Sequence, residues 1–483
     1  MSVKCCRMVL AFLVLWAVSV QGERPTNIIL ILVDDLGWMD LSCQGSDYYR
    51  TPHIDRLAKE GMRFTNAYAA CAVCSPTRAA IQTGRYPGRT GVTDWIRSRF
   101  QRGGIGTPEQ NPSEYVGGKN RRLLCPPNPF WMEHEEHTIA EVLKERGYRS
   151  AHIGKWHLGD EAWYPAGQGY DENYGGCDYG QPPSYFDPYQ QPKHKHPMIR
   201  AGIPFLPGKK KGQYLTDREA DEAVAFIRRS QDQPFFLHLA HYAVHTPIQA
   251  EAEAAGAYRR DGKTETNAKY AAMVESVDRS TGRILATLDE LGIADQTLIL
   301  FTSDNGGLDR KGSPTDNAPL RSGKGYAYEG GIRVPFIVHW PNNIPAKTIS
   351  NVPVCSIDVF PSFLNVAGVD RDQDQAIDGV DLIPHLTSGG TKSIPERNLI
   401  WHFPHYRHEP GPYSIIRQGD WKLIKFYEGK RELFHLGDDL SESNDLAAAR
   451  PKLVASLEAD LMRELEAMGA KLPRPNPNYI GRP

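Results

Sequence analysis

The chain has 483 residues, of which 40% are hydrophobic and 24% are charged, and its formal net charge is −2. This composition is close to that of globular proteins and argues against a disordered chain and against a multi-span membrane protein. A general nucleic-acid-binding protein is not expected either, because 56 basic residues face 58 acidic ones. The length predicts two domains, or one large α/β domain with an appendage.

The N-terminus has the pattern of a secretory signal peptide. Lys4 and Arg7 precede an apolar run at residues 8–20, and residues 20–22 (VQG) are small enough for a signal peptidase site. This run of about 13 residues is shorter than the roughly 20 that a membrane-spanning helix needs, so an uncleaved anchor is the less favoured alternative. We predict that residues 1–22 are a cleaved signal peptide and that the protein is secreted or periplasmic, without a stable membrane anchor.

The cysteines that follow residue 22 are too few for a disulfide-built scaffold. They are Cys43, Cys71, Cys74, Cys125, Cys177 and Cys355. One or two bridges are compatible with an exported protein, but the sequence does not determine their pairing.

Buried strands and amphipathic helices alternate over residues 23–395. Three continuous apolar runs are typical of strands buried on both faces of a parallel sheet, and they occupy residues 27–33, 234–240 and 297–302. Helical periodicity is found at residues 137–145, 216–229 and 268–291, and Thr216 with Glu219 predicts a capping box. The alternation predicts a layered α/β fold that binds its ligands beyond the carboxyl ends of the strands.

A different pattern begins after about residue 395. Residues 413–418 and 421–427 are short alternating runs on either side of a Gly-Asp turn, which is typical of a hairpin. A final helix over residues 451–468 is expected to cover one face of that sheet. We therefore predict a smaller C-terminal α+β domain at residues 396–483, with an antiparallel sheet and a helix.

The most informative segment is Cys74-Ser-Pro-Thr-Arg78, which is followed by Thr83-Gly84. Cys71 and Cys74 also form a C-x-x-C pair, which is compatible with a redox dithiol or half of a zinc site, although no second ligand pair is evident. Pro76 suits the first turn of a helix, so Cys74 is expected near a helix N-terminus, where backbone amides favour an anion. Arg78 adds a positive charge beside it.

This segment resembles the signature of the sulfatase family, in which the cysteine is oxidised after synthesis to formylglycine. Other family elements occur in the same order, and the resemblance implies an alkaline-phosphatase-like three-layer α/β/α sandwich over residues 23–395. Asp34, Asp35, Asp304 and Asn305 follow predicted strands, and such oxygen ligands suit Ca²⁺ or Mg²⁺ rather than zinc. The resemblance adds the modified Cys74 as a further metal ligand.

The family's cationic residues also have counterparts in this chain. They are Lys155 and His157 in G-K-W-H-L-G, His245 in H-T-P, and Lys324 ahead of the E-G-G-I-R-V-P segment. By resemblance, residue 74 attacks sulfur and is activated by Asp304, while Arg78, Lys155 and Lys324 neutralise charge. His245, with Lys324, would protonate the leaving alcohol, and His157 would help to expel sulfate. Lys155, His245 and Lys324 are the implied substrate-binding residues.

One segment departs from the family pattern, because residues 177–180 (CDYG) stand where some members place a serine near the sulfate. That substrate contact is therefore unassigned. Residues 401–408 (WHFPHYRH) open the smaller domain and suit the binding of an anionic sugar, although a packed aromatic hinge explains them equally well. Because family members place substrate-selecting residues in this region, the resemblance suggests His402 and His405 as contacts to a sulfated carbohydrate.

The sequence therefore predicts an exported sulfatase that acts on a sulfated carbohydrate or an aryl sulfate. Its cofactors would be Ca²⁺, or Mg²⁺, and a formylglycine made at Cys74 by a formylglycine-generating enzyme that acts on the unfolded chain. A phosphomonoester or phosphonate ester hydrolase of the same superfamily is the alternative, and a non-catalytic sulfated-glycan-binding protein is a further one.

Overall fold

The computed structural model describes residues 26–98, 101, 109–310, 312–369 and 375–481, so the predicted signal peptide lies outside the described residues. The strands are β1 Asn27–Val33, β2 Met62–Phe64, β3 Ala67–Tyr68, β4 Leu123–Leu124, β5 Arg149–Gly154, β6 Glu172–Tyr174, β7 Phe235–Ala240, β8 Thr297–Ser303, β9 Phe336–His339, β10 Thr348–Ser350, β11 Val354–Cys355, β12 Leu399–Phe403, β13 Tyr413–Gln418, β14 Trp421–Phe426, β15 Arg431–His435 and β16 Arg474–Pro475. The α-helices are α1 Pro52–Glu60, α2 Cys74–Thr83, α3 Pro87–Thr90, α4 Ile139–Lys144, α5 Pro197–Ala201, α6 Leu215–Ser230, α7 Ala252–Gly256, α8 Glu265–Leu291, α9 Glu329–Ile332, α10 Val359–Val366, α11 Ile383–Thr387 and α12 Pro451–Ala467. Within the described ranges, no helix is long and apolar enough to cross a membrane.

An eight-stranded mixed sheet forms the centre of the larger part of the chain. Its strand order is β10-β2-β9-β8-β1-β7-β5-β6. The five strands from β8 to β6 are parallel, whereas β9 runs antiparallel to both β8 and β2. Because β1 lies between β8 and β7, its carboxyl end is flanked by the ends of two parallel neighbours.

The central strand divides its side chains between two helical layers. Ile29, Ile31 and Val33 belong to a core that includes buried residues of α1, α6 and α8. Ile28, Leu30 and Leu32 belong to a second core, with residues of α2, α4 and α10. Alternate residues of a strand point to opposite faces, so this strand is buried on both faces, and the predicted α/β/α sandwich is confirmed.

A four-stranded antiparallel sheet with the order β12-β13-β14-β15 forms the C-terminal region. Helix α12 buries Leu457, Leu461 and Leu465 in the same core as this sheet. That core also contains Val73 and Ile332 of the larger region, so the smaller sheet is packed close to the start of α2. The predicted smaller α+β unit is confirmed, and its boundary near residue 395 stays a prediction.

The predicted capping box of α6 is wrong. The helix begins at Leu215, its N-cap is Tyr214 without a side-chain cap, and the Thr216 hydroxyl has no hydrogen-bond partner. Glu219 instead directs its carboxylate to His241 at the end of β7. Local sequence therefore indicated the helix correctly, whereas tertiary contacts decided where this glutamate points.

All six cysteines of the described residues are free. Cys71 and Cys355 are fully buried, and burial raises the pKa of each thiol to about 12. A reactive thiol has a lowered pKa, so neither has the character of a redox-active cysteine. The disulfide bridges considered above are not formed in this structure.

Candidate active site

The candidate site lies where the carboxyl ends of four parallel strands meet the start of α2. Asp34, Lys155 and Asp304 directly follow β1, β5 and β8, and His245 lies five residues beyond the end of β7. Cys74 is the first residue of α2. The parallel topology therefore brings together residues that are separated by up to 270 positions along the chain, at the edge where open α/β sheets bind ligands.

Each of three buried carboxylates at this edge has its own cation. The pairs are Lys155 Nζ with Asp34 Oδ2 at 2.7 Å, Lys324 Nζ with Asp35 Oδ1 at 2.6 Å, and Arg78 Nε with Asp304 Oδ2 at 2.8 Å. Isolated charges would be very costly to bury, so this pairing is what allows the cluster to exist in the protein interior.

Burial and neighbouring charges shift the pKa values of two of these carboxylates in opposite directions. Burial, together with the charges of Asp304 and Asp35, raises the pKa of Asp34 well above its usual value, although Lys155 opposes the shift. Burial would also raise the pKa of Asp35, but the charge and hydrogen bond of Lys324, together with His245 and Lys155, outweigh it and lower that pKa below its usual range. Asp34 is therefore the carboxylate that most lacks positive charge.

Unpartnered oxygens in this cluster fit a hard divalent cation. Asp34 Oδ1 and Asn305 Oδ1 are buried without a hydrogen-bond partner. The amide nitrogen of Asn305 donates to Asp35 Oδ1 at 2.8 Å and to the Gly306 carbonyl at 3.0 Å, which leaves its oxygen free. Potential ligand atoms of Asp34, Asp35 and His245 lie within 4.8 Å of one another. Carboxylate and amide oxygens are the ligands that Ca²⁺ and Mg²⁺ prefer.

His157 presents an unprotonated ring nitrogen to Cys74. Its Nε2 lies 2.7 Å from the Ile96 carbonyl, which can only accept a hydrogen bond, so Nε2 carries the proton. The other nitrogen, Nδ1, lies 3.4 Å from Cys74 Sγ. Burial, followed by the charges of Lys155 and Arg78, lowers the pKa of His157 well below its usual value. The imidazole is therefore neutral and can accept a proton from a group at position 74.

Two residues of the site adopt left-handed backbone conformations. Asp35 and His157 each have a φ of 62°, which costs a residue other than glycine about 1–3 kcal/mol. Such strain persists only where surrounding contacts hold it, and here each side chain is held by the ion pair or hydrogen bonds described above. Gly180 packs against the ring of His157, because a Cβ at that position would lie 2.8 Å from His157 Cε1.

A cavity of about 170 Å³ opens onto this cluster. Its lining contains four of the sequence-predicted residues, Cys74, His157, His245 and Lys324, together with Val73, Trp95, Gln101, Gly180, Gln181 and Arg407. Lys155 and Arg78 lie behind the carboxylates and do not line it. A larger cavity of about 660 Å³, bordered by Arg89 and Asp378, contains none of the predicted site residues.

The structure does not bring His402 and His405 to this cavity, so their contact with the substrate stays an untested prediction. His402 is buried between the Ser414 hydroxyl at 2.7 Å and the Lys471 carbonyl at 3.2 Å. His405 Nε2 is hydrogen-bonded to the Thr93 hydroxyl at 2.8 Å. Neither histidine lines the cavity, because the strand and turn that carry them use these rings for packing, as in the aromatic-hinge alternative.

Sequence reasoning missed two parts of the cavity lining. Arg407 belongs to the same aromatic stretch as the two histidines but was not selected, and it is the member of that stretch that reaches the cavity. Gly180 and Gln181 lie at the segment where the family pattern was interrupted. The charge of Arg407 and that interruption were the signals that could have indicated these positions.

Comparison with protein families gives two matches that together cover most of the chain. The family model named Sulfatase matches residues 26–369. A second model, described as the C-terminal region of N-sulphoglucosamine sulphohydrolase, matches residues 322–471. The first match contains Cys74, the four predicted oxygen ligands, Lys155 and Lys324, and the second contains the four-stranded sheet.

Individual proteins show the same similarity. The N-acetylgalactosamine-6-sulfatase of Sus scrofa is 37% identical over 401 residues, which cover 79% of this chain and 69% of that protein. Human arylsulfatase A is 31% identical over 92% of this chain and 83% of its own length. The crystal structure of Ps i-CgsB in complex with k-i-k-neocarrahexaose has a TM-score of 0.75, with 31% identity over 92% of this chain and 93% of that one.

Proposed function

Because the chain belongs to the sulfatase family and is a sulfuric ester hydrolase, we propose that it removes sulfate from sulfated carbohydrates at the cavity beside Cys74. The observation that carries the proposal is the convergence of Cys74, His157, His245 and Lys324 on that cavity. Support for a carbohydrate comes from two similar proteins, one named N-acetylgalactosamine-6-sulfatase and one solved with k-i-k-neocarrahexaose.

The proposal includes conversion of Cys74 to formylglycine by a formylglycine-generating enzyme. As its hydrate, formylglycine would supply one hydroxyl for attack on sulfur and a second whose deprotonation would allow sulfate to leave. The Cys74 side chain is only 4% exposed in the folded protein, which favours modification of the unfolded chain. His157 then lies where it can take the proton of that second hydroxyl, because its Nδ1 faces position 74.

A divalent cation, Ca²⁺ or Mg²⁺, would be held by Asp34, Asp35, Asp304, Asn305 and the modified residue 74. Its chemistry would be to neutralise the negative charge that gathers on the nucleophile and the sulfate group. The unpartnered oxygens of Asp34 and Asn305 support this ligand set. Lys155 and Arg78 do not line the cavity, and their role would be to hold the carboxylates of Asp34 and Asp304 in place through ion pairs.

Lys324 and His245 would act on the substrate from the cavity wall. Lys324 keeps its proton, because the negative charge of Asp35 raises its pKa against the effect of burial. Burial and Lys324 lower the pKa of His245 to about 3, so this imidazole is neutral before substrate binds. An arriving sulfate anion raises that pKa, and His245 can then be protonated and donate to the leaving alcohol.

Mass spectrometry of the peptide that contains Cys74 tests the proposal, because conversion of the thiol to the aldehyde removes about 18 Da. We expect the modified protein to hydrolyse 4-nitrophenyl sulfate and to release sulfate from sulfated saccharides, with 4-nitrophenyl phosphate as the matched control. An active protein with an unmodified thiol, or a preference for the phosphate ester, would refute the proposal.

Export also belongs to the proposal. It rests on the basic start, the apolar run and the small residues of positions 1–22. N-terminal sequencing of the protein recovered from the periplasm or the medium should begin after residue 22, and recovery of an intact N-terminus inside the cell would contradict it.

A further inference from the structure

Arg407 is a cation on the cavity wall that forms no hydrogen bond or ion pair with a described residue. Its side chain is exposed and lines the same cavity as Cys74 and Lys324. No hydrogen bond or ion pair to a described residue satisfies its guanidinium, whereas Lys324 is paired with Asp35. A free guanidinium at the mouth of an anion-binding cavity is well suited to a carboxylate or a sulfate, which it can bind through two parallel hydrogen bonds.

We propose that Arg407 binds a second anionic group of the substrate, so that the preferred substrate is a saccharide with another sulfate or a carboxylate beside the scissile sulfate. This inference rests on the proposed function and makes it more specific. It assigns to the smaller domain a residue that selects substrates by charge.

The residues on either side of Arg407 are anchored, so its backbone has a defined position. The Tyr406 hydroxyl donates to Glu428 at 2.5 Å and accepts from the backbone of Leu123 at 3.1 Å. The ring of His408 is stacked on Tyr326 at 4.1 Å, with an angle of 8° between the rings. Arg407 therefore projects from a fixed segment, and less conformational entropy is lost when it binds a ligand.

A glycine allows this segment to lie against the loop that carries Lys324. Gly325 has a φ of +87°, and a Cβ at this position would lie 2.6 Å from Arg407 Nε and 2.8 Å from His408 Nε2. Its backbone N–H also donates to the Ala72 carbonyl at 2.8 Å, close to the start of α2. The two lining cations are consequently carried by loops in direct contact, one from each domain.

Arg407 affects a different carboxyl from those that the cations of the metal cluster are paired with. Those cations are each paired with one of the three aspartates. Arg407 instead lowers the pKa of the Asp94 carboxyl. Burial raises the pKa of Asp94 to about 6, and Arg407 is the strongest of the charges that oppose this shift. Asp94 adjoins Trp95, which lines the cavity. The guanidinium therefore lies near the part of the cavity wall that Trp95 forms.

Competition against hydrolysis of 4-nitrophenyl sulfate tests this assignment. The competitors are monosulfated and disulfated neocarrabiose, matched in length, and the chondroitin 6-sulfate disaccharide, which adds a carboxylate. In the wild type, we expect the best dianionic competitor to have an inhibition constant about 10- to 100-fold lower than the monosulfated one, because a charge-assisted hydrogen bond contributes that much. The difference should shrink at high salt.

The variant Arg407→Ala should make the inhibition constants converge while kcat/KM for 4-nitrophenyl sulfate stays within about threefold of wild type. Arg407→Lys should retain part of the preference, because it keeps the charge but not the two-pronged geometry. Arg463→Ala is the matched control, since Arg463 is an exposed arginine on α12, outside the cavity.

Two results would overturn the inference: equal inhibition constants in the wild type, or a parallel loss of 4-nitrophenyl sulfate hydrolysis in Arg407→Ala, which would mean that Arg407 binds the scissile sulfate. Failure of the proposed function would look different, because the fully modified wild type would then hydrolyse no sulfate ester. Calorimetric binding of the same saccharides would still measure the charge preference in that case.

Discussion

Two clusters near the end of β7 contain similar chemical groups and differ in whether they line the cavity beside Cys74. The Ser280 cluster, defined as Ser280, His241 and Glu219, joins a hydroxyl to His241 Nε2 at 3.1 Å and His241 Nδ1 to a carboxylate at 2.6 Å. This is the order of groups that many hydrolases use. All three side chains are fully buried, whereas Cys74 and His157 line a cavity.

The difference teaches that geometry alone does not identify an active site. Glu219 in the Ser280 cluster also accepts the backbone N–H of Tyr242 at 3.4 Å, and therefore holds the segment that leads to His245. No buried oxygen of this cluster is left without a partner, in contrast to Asp34 Oδ1 and Asn305 Oδ1 at the other. We infer that the Ser280 cluster supports the loop, whereas the proposed function assigns the chemistry to the cavity cluster.

The largest expected effect is that of Cys74→Ser. A serine offers one hydroxyl and no second one through which sulfate could be expelled, so turnover should fall by a factor on the order of 10³ or more. The thermal unfolding temperature should change little, because the side chains are similar in size. Cys71→Ala is the matched control and should retain activity; wild-type turnover by the serine variant would contradict the mechanism.

A smaller loss is expected for His157→Gln, which removes the base that faces position 74. General acid–base catalysis contributes about 10²- to 10⁴-fold, so kcat should fall by that factor with little change in stability. The paired variant His241→Gln should instead lower the free energy of unfolding by about 1–3 kcal/mol and reduce kcat less than tenfold. Steady-state kinetics and denaturant titration of both proteins separate the two roles. A stability loss in His157→Gln with a large kcat loss in His241→Gln would contradict the distinction between the two clusters.

The smallest expected effect is that of Ser280→Ala. Loss of one neutral hydrogen bond should destabilise the protein by about 1 kcal/mol and leave kcat within about twofold of wild type. Both quantities are measured by urea unfolding and by hydrolysis of 4-nitrophenyl sulfate. A large loss of activity at unchanged stability would give this hydroxyl a catalytic role and remove the distinction between the two clusters.

Local patterns in the sequence predicted the central strands β1, β7 and β8 and the long helices, but not the other five strands of the large sheet. The run at residues 27–33 is strand β1 with the same bounds, and the predicted helix at residues 451–468 is α12, which ends one residue earlier. These predictions succeed because burial on both faces leaves an uninterrupted apolar strand, and a helix that covers a sheet leaves a periodic apolar stripe. The cap of α6 was predicted wrongly, because the partner of Glu219 lies 22 residues away in the chain.

The sequence by itself determined the chemistry-bearing groups around Cys74, because their types and order form a recognisable pattern. Only the tertiary structure decided which cations reach the cavity and which stay behind the carboxylates, as Lys324 and Lys155 illustrate. It also showed that Arg407, and not His402 or His405, lines the cavity from the smaller domain. Adjacent residues of one segment point in different directions, and their contacts with distant elements determine which of them lines the cavity.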